Sequence, residues 1–224
     1  MLGLPTAVVD YRSLIPKKTA LLQRAAGRFE AQASATLKSD FDRFMERHNS
    51  SWLHDYALFR VLKTRHGERP WPEWEAPYLR RESSALRSLH AEAATQIANI
   101  KIIQFLFHSQ WQQLKNYAIE RGVLLFGDMP IYIALDSSDA WANPELLSMD
   151  GDGRPGYVAG VPPDYFSEDG QLWGNPLYDW ARHAANGYLW WIERLRQSAA
   201  IADIVRIDHF RGFESYWSVP ARAT

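Results

Sequence analysis

The 224-residue chain contains no cysteine, which excludes disulfide bridges and thiolate metal sites. It carries no excess of one charge. With 25 basic and 26 acidic side chains the formal net charge is −1, so there is neither a basic field for a phosphate backbone nor a polybasic patch for anionic lipid. Nucleic acid and membrane are therefore not expected as partners. No apolar run approaches the ~18 residues of a membrane span, and the N-terminus lacks a basic stretch followed by an apolar one. A cytoplasmic protein is the default expectation, under which the sequon Asn49-Ser50-Ser51 goes unused. What the chain does have is aromatic residues, 10 each of Trp, Tyr and Phe, and length enough for one large domain. Rings at this density imply a packed core, yet planar rings are also what sugar faces stack on, and composition does not separate the two.

The first half reads as helical. Residues 1–16, with Pro5 and Pro16, suggest an extended lead-in. Residues 17–48 are rich in Ala, Leu, Gln, Glu and Arg, with a break expected between Ser34 and Ser39. Ser51 is the expected N-cap of a further helix whose apolar stripe is Trp52, Tyr56, Phe59 and Leu62, ending at Gly67. Three prolines make residues 69–77 a structured surface loop. Residues 81–121 lack Gly and Pro and repeat apolar positions at steps of three and four, which predicts one long helix or two in series, stopped by Gly122.

The period then changes. Val123-Leu124-Leu125-Phe126 is a continuous apolar run of the kind a strand buried on both faces requires. It leads into Gly127-Asp128-Met129-Pro130-Ile131-Tyr132. After a long loop, a helix over about residues 186–199 precedes the β-branched Ile204-Val205 and a second strand ending at Asp208. Strand, loop, helix, strand is a parallel crossover unit, in which ligands bind at the carboxyl ends of the strands. Asp128 and Asp208 are expected at equivalent places on two such ends. Arg206 and Asp208 lie two residues apart and so project to one side of an extended backbone, where the cation favours an ionised, nucleophilic carboxylate. Two isolated charges of this kind could equally tie down a loop.

The loop over residues 149–178 is too long to be a mere connection. Its Asp150-Gly151-Asp152-Gly153 suggests a calcium site, but Arg154 and Pro155 stand where an oxygen ligand and a glycine are needed, so no metal is expected. Residues 159–176 alternate aromatics with carboxylates and amides. That suits a neutral polyhydroxylated ligand, or a loop folded over its own rings.

Arg206-Ile207-Asp208-His209-Phe210-Arg211-Gly212 resembles the nucleophile segment of the 4-alpha-glucanotransferases, the amylomaltases or disproportionating enzymes related to the α-amylases. Residues 159–176 resemble the loop that covers their substrate groove. Gly127-Asp128-Met129-Pro130-Ile131-Tyr132 and Trp141-Ala142-Asn143-Pro144-Glu145 are similar to an early conserved strand end and its continuation. Asp55-Tyr56-Ala57-Leu58-Phe59 and Gln110-Trp111 are similar to the helical insert of that family, whereas Leu135 departs from its pattern, where a polar residue is expected.

The resemblance implies an α/β fold, part of a (β/α)8 TIM barrel with a large helical insert: residues 1–121 as the insert and 122–224 as partial barrel. It implies transfer of α-1,4-glucan segments between maltooligosaccharides without a cofactor. Asp208 would be the nucleophile, held ionised by Arg206. Asp128 and His209 would hydrogen-bond the donor sugar, and Gln171 would reach the substrate near the scissile bond. Tyr165, Phe166 and Trp173 would line the groove, and Asp164 would shape the loop. Retaining chemistry also needs a second carboxyl group about 5–5.5 Å from the first. In the family that Glu and a third Asp lie on later strands, and the first two strands lie earlier, so the chain is expected to be an internal fragment, inactive alone. Glu214, six residues beyond Asp208, is badly placed to be that acid. A hydrolase, a non-catalytic glucan-binding module and a purely helical interaction protein are the competing readings; the last leaves Asp128 and Asp208 unexplained.

Overall fold

The computed structural model describes residues 8–165 and 167–223. Residues 1–7, the start of the expected lead-in, lie outside them. From Tyr11 onward that lead-in is helix. Asp10 accepts the Ser13 amide hydrogen at 3.3 Å and caps α1 (Tyr11–Gln32), which carries Pro16 in its second turn. The chain turns extended at Ala33, and Ser34 caps α2 (Ala35–His48) through the Leu37 amide at 3.2 Å, at the edge of the expected break.

Ser51, in contrast to its expected role, caps nothing. Asn49–Leu53 form a π-helical turn that runs without interruption into α3 (His54–Arg65), and the Ser51 hydroxyl donates back to the His48 carbonyl at 3.2 Å. Buried Lys101 donates to Asn49 Oδ1 at 2.6 Å and meets His54 Nδ1 at 3.2 Å, spanning this wide turn. Gly67, at φ +63°, follows α3. The triple-proline segment is not only surface. It contains a 3-10 turn, Trp71–Glu73, and buries Trp71 and Trp74, because large apolar rings outweigh the local preference for exposure. Short α4 (Ala76–Leu79) precedes α5 (Ser83–Glu92) and α6 (Ala94–Ile119), two helices in series broken at Ala93.

Among the described residues eight further α-helices and strands follow. They are β1 (Phe126–Pro130), α7 (Ser138–Ala142), β2 (Tyr157–Val161), β3 (Gln171–Pro176), α8 (Trp180–Ala185), α9 (Leu189–Ile201), β4 (Ile204–Asp208) and β5 (Trp217–Pro220). Strands β1 and β4 pair in parallel, with α9 leading into β4, which is the crossover that the sequence pattern anticipates.

The expected strand at Val123 starts later, and it is not buried on both faces. Val123, Leu124 and Phe126 are more than half exposed. Among the described residues β1 has one ladder partner, and Leu125 is held by Asp203 instead of a strand: its amide donates to Asp203 Oδ2 and its carbonyl accepts the Asp203 amide, both at 2.9 Å.

The long loop is more ordered than its glycines and prolines suggest. It folds as an antiparallel hairpin of β2 and β3, and β5 adds to it in the order β3-β2-β5. Gly160 sits where the three strands meet, and a Cβ there would lie 2.7 Å from Val219 Cγ2 and 2.8 Å from the Gln171 carbonyl oxygen. One core of Leu58, Leu62, Trp71, Trp141, Met129, Ile131, Tyr178 and Trp191 runs from the helices to the end of β1. That core fixes where the strand ends sit.

Candidate active site

In the β1–β4 register Asp128 faces Arg206 and Pro130 faces Asp208. The two acids are therefore not at equivalent places: Asp128 lies two residues deeper, opposite the arginine. Residues two apart share a face of a strand, so Asp128, Arg206 and Asp208 project to the same side. Arg206 Nε donates to Asp128 Oδ1 at 2.9 Å and its Nη2 donates to Oδ2, while the same Nη2 stands 3.6 Å from Asp208 Oδ1. The guanidinium expected to serve Asp208 is bound in a two-pronged manner to Asp128 and faces Asp208 without a hydrogen bond. The geometric cause is register, since the residue across the ladder is nearer than the next but one along the strand. Hydrogen bonding from Arg206 holds the Asp128 carboxyl below its ordinary range, against a small opposing effect of burial, and Asp128 in turn raises Arg206. All three side chains are about half exposed, so the arrangement is an open, charged strand end and not a buried ion pair.

Immediately after β4 the backbone at His209 turns left-handed (φ 51°, ψ 47°), a conformation that costs a non-glycine residue roughly 1–3 kcal/mol and is held by its surroundings. The 3-10 turn Phe210–Phe213 follows. Within it Gly212 has no room for a side chain: a Cβ would lie 2.9 Å from Ile131 Cδ1 and 3.1 Å from His209 Cδ2. The turn aims the His209 ring edge-on at Trp173, centroid to centroid 5.2 Å, and 6.5 Å from Tyr132. Trp173 donates its indole hydrogen to Gln171 Oε1 at 2.9 Å. The hairpin thus brings Gln171 and Trp173 to the strand ends that carry Asp128, Arg206, Asp208 and His209.

The other expected residues are placed differently. Asp164 folds the hairpin tip, accepting the Ser167 amide hydrogen at 2.9 Å on its side chain and donating its own amide to the Ser167 carbonyl at 2.9 Å. Tyr165 stands beside it, 97 % exposed. Phe166 lies outside the described residues. The acidic turn that mimics a calcium loop is closed by its own backbone, with Asp150 Oδ1 accepting the amides of Asp152 and Arg154 at 2.9 Å each.

Two residues in this cluster were given no role by sequence reasoning. Tyr132 lies within the strand-end motif, and its buried ring meets Trp173 at 6.1 Å and Tyr216 at 6.2 Å. Burial and then Tyr216 push its hydroxyl up to about 12, so it stays protonated. The motif marked the position of Tyr132; the contact with Tyr216 is tertiary and left no local trace.

Chemically, the arrangement offers a carboxylate beside a cation, with aromatic faces and an amide on the flank. Such a set can attack an electrophilic carbon and stack a planar or cyclic ligand. Comparison with known proteins agrees with the motifs. The family model described as 4-alpha-glucanotransferase matches residues 3–224. The 4-alpha-glucanotransferase of Thermus thermophilus is 47% identical over 219 residues, covering 98% of this chain and 44% of that one. The Synechocystis enzyme of the same name is 45% identical over 213 residues, covering 95% and 42%. Among solved structures, amylomaltase from Streptococcus agalactiae in complex with acarbose superposes with a TM-score of 0.91 at 37% identity, over 100% of this chain and 44% of that one. The chain spans less than half the length of these relatives, and its mixed helices and strands fit part of an α/β barrel. By sequence match and by fold, the chain belongs to the 4-alpha-glucanotransferase family.

Proposed function

We propose that this chain is the nucleophile-bearing part of an enzyme that transfers α-1,4-glucan segments between maltooligosaccharides with retention. The observation that carries the reading is Asp208 at the end of β4, on one face with Arg206 and Asp128 and flanked by the His209–Trp173 pair. Asp208 attacks the anomeric carbon and forms a glycosyl-enzyme. Asp128 and His209 hold the donor sugar by hydrogen bonds, and Arg206 keeps Asp128 ionised while placing a positive charge 3.6 Å from Asp208. Gln171 and Trp173 meet the glucan from the hairpin, with Tyr165 on the loop side and Asp164 folding its tip; Phe166 joins them in this reading on the family resemblance alone. Residues 1–121 are the helical insert in this reading, and residues 122–224 carry the catalytic strands. The general acid lies outside these 224 residues, which fits coverage of under half of each relative. A cytoplasmic location belongs to the same reading. Among the described residues no helix is long and apolar enough to cross a membrane.

The test uses a complete chain, residues 1–224 joined to the flanking segments of the Thermus thermophilus relative, incubated with maltotriose. Glucose appearing together with longer oligomers supports transfer, and Asp208→Asn should abolish both. Glucose and maltose without longer products would replace transfer by hydrolysis. Glucan binding without turnover would leave a binding module.

A further inference from the structure

The carboxyl end of β1 is held in place by one side chain of α9. The carbonyls at and just past the last ladder position, Pro130 exposed and Ile131 buried, take donors from outside the strand, and for Ile131 an orphan carbonyl would be costly. Arg194 supplies them. Its Nη1 donates to the Ile131 carbonyl at 2.9 Å and to the Tyr178 hydroxyl at 3.1 Å, and its Nη2 donates to the Pro130 carbonyl. The Tyr178 hydroxyl donates to the same Ile131 carbonyl at 2.7 Å, which closes a three-membered network around one peptide. The guanidinium lies over the rings of Trp190 and Trp191, 5.2 and 5.1 Å from their centroids, so its plane is set by packing as well as by hydrogen bonds.

The two carbonyls so gripped belong to the residues that touch the β4 end. Pro130 is the ladder partner of Asp208, and Asp128 lies two residues upstream of it. The Ile131 side chain fills the space against Gly212 in the turn that follows His209, and Tyr132, next in sequence, meets His209 and Trp173. A shift of the Pro130-Ile131 peptide would thus move Asp128, the His209 turn and the aromatic flank together relative to Asp208. We infer that Arg194 is a positioning residue for the transfer reaction: through the Pro130 and Ile131 carbonyls it sets the distance between the β1 end and the carboxylate of Asp208. This inference rests on the function proposed above.

Arg194→Lys keeps the charge but cannot serve two carbonyls and a hydroxyl in one plane. In the complete chain described above, Arg194→Lys should lower kcat for maltotriose disproportionation about tenfold with KM changed less than about twofold, as expected when reacting groups are displaced by less than an ångström. Tyr178→Phe, which removes one member of the network and little volume, should lower kcat about threefold in the same pattern. If kcat of Arg194→Lys stays within about twofold of the parent, whatever its melting temperature, Arg194 is a structural residue and the inference fails. Should Arg194→Lys not fold, Tyr178→Phe decides alone, and an unchanged kcat overturns the inference. A parent chain that shows no transfer defeats the functional reading and this inference with it, whereas a transferring parent and an equally active Arg194→Lys defeat only the inference.

Discussion

The helical region and the strand ends are held together by different forces. Among the helices, Phe29, Phe41 and Phe105 meet edge to face at 5.3–6.0 Å, and Leu53, Leu58 and Leu62 are almost wholly buried. Along the strands, Phe126, Leu172 and Trp217 are more than half exposed, and directional contacts add to the packing: Arg206 on Asp128 and Arg194 on two carbonyls toward the carboxyl ends, Asp203 on Leu125 at the amino ends. Apolar burial scales with area and has no preferred direction, whereas hydrogen bonds specify angle and distance. The difference teaches that the candidate site sits on a packed core that reaches the end of β1, with polar contacts setting its charged groups against one another.

Trp141 is where the two regions share a core, so its removal should break the comparison most severely. It is fully buried, its indole donates to the Tyr78 carbonyl at 2.9 Å, and Arg81 lies over its ring at 4.2 Å. Trp141→Ala should cost about 3–5 kcal/mol of stability in chemical unfolding of the complete chain. A loss below about 1 kcal/mol would mean that the regions do not depend on each other through this core.

A pH series sharpens the contrast from the helical side. Burial lowers His48, His54 and His108, so the folded helices prefer these rings neutral. The unfolded chain takes up protons near the ordinary value of about 6.5, so this stability is present above that pH and is lost as pH falls through it toward the folded values. Unfolding midpoints should drop between pH 7 and pH 5, by less than the Trp141 effect, and His48→Gln with His108→Gln should flatten the slope. An unaltered slope in the double variant would remove these two rings from the account.

The smallest expected effect is at a helix end. Ser34→Ala removes the cap on the Leu37 amide and should cost about 0.5–2 kcal/mol in thermal unfolding, leaving glucan transfer by the complete chain unchanged. A change in transfer would show that the helical region reaches the strand ends by more than static packing.

Much of this was legible in the sequence where the signal is local. The apolar period of residues 81–121, the stop at Gly122 and the switch to a strand before Asp208 all follow from spacing, and the structure places α5, α6 and β4 accordingly, with β1 starting later than the apolar run. Two features were not legible, for one physical reason. The hairpin of β2 and β3 looks like loop because Gly160 and the adjoining Pro162 and Pro163 have low strand propensity; in the structure β5, far along the chain, pairs with β2 and lays Val219 against Gly160, a contact that no local pattern reveals. The register that sets Asp128 against Arg206 is likewise a property of two strands, which neither strand's own sequence contains. Ser51 misled in the opposite sense, a good cap residue overridden by helix continuing from His48 through Leu53.

The central claim is that Asp208 is the nucleophile, and the most direct measurement is to trap it. The complete chain is treated with a fluorinated glucosyl donor that forms the glycosyl-enzyme faster than it resolves, quenched in acid, digested and mapped by mass spectrometry. The account requires a single glucosyl adduct on the peptide containing Asp208, absent in Asp208→Asn. An adduct on another carboxylate, or turnover of the donor with no adduct at all, would contradict it.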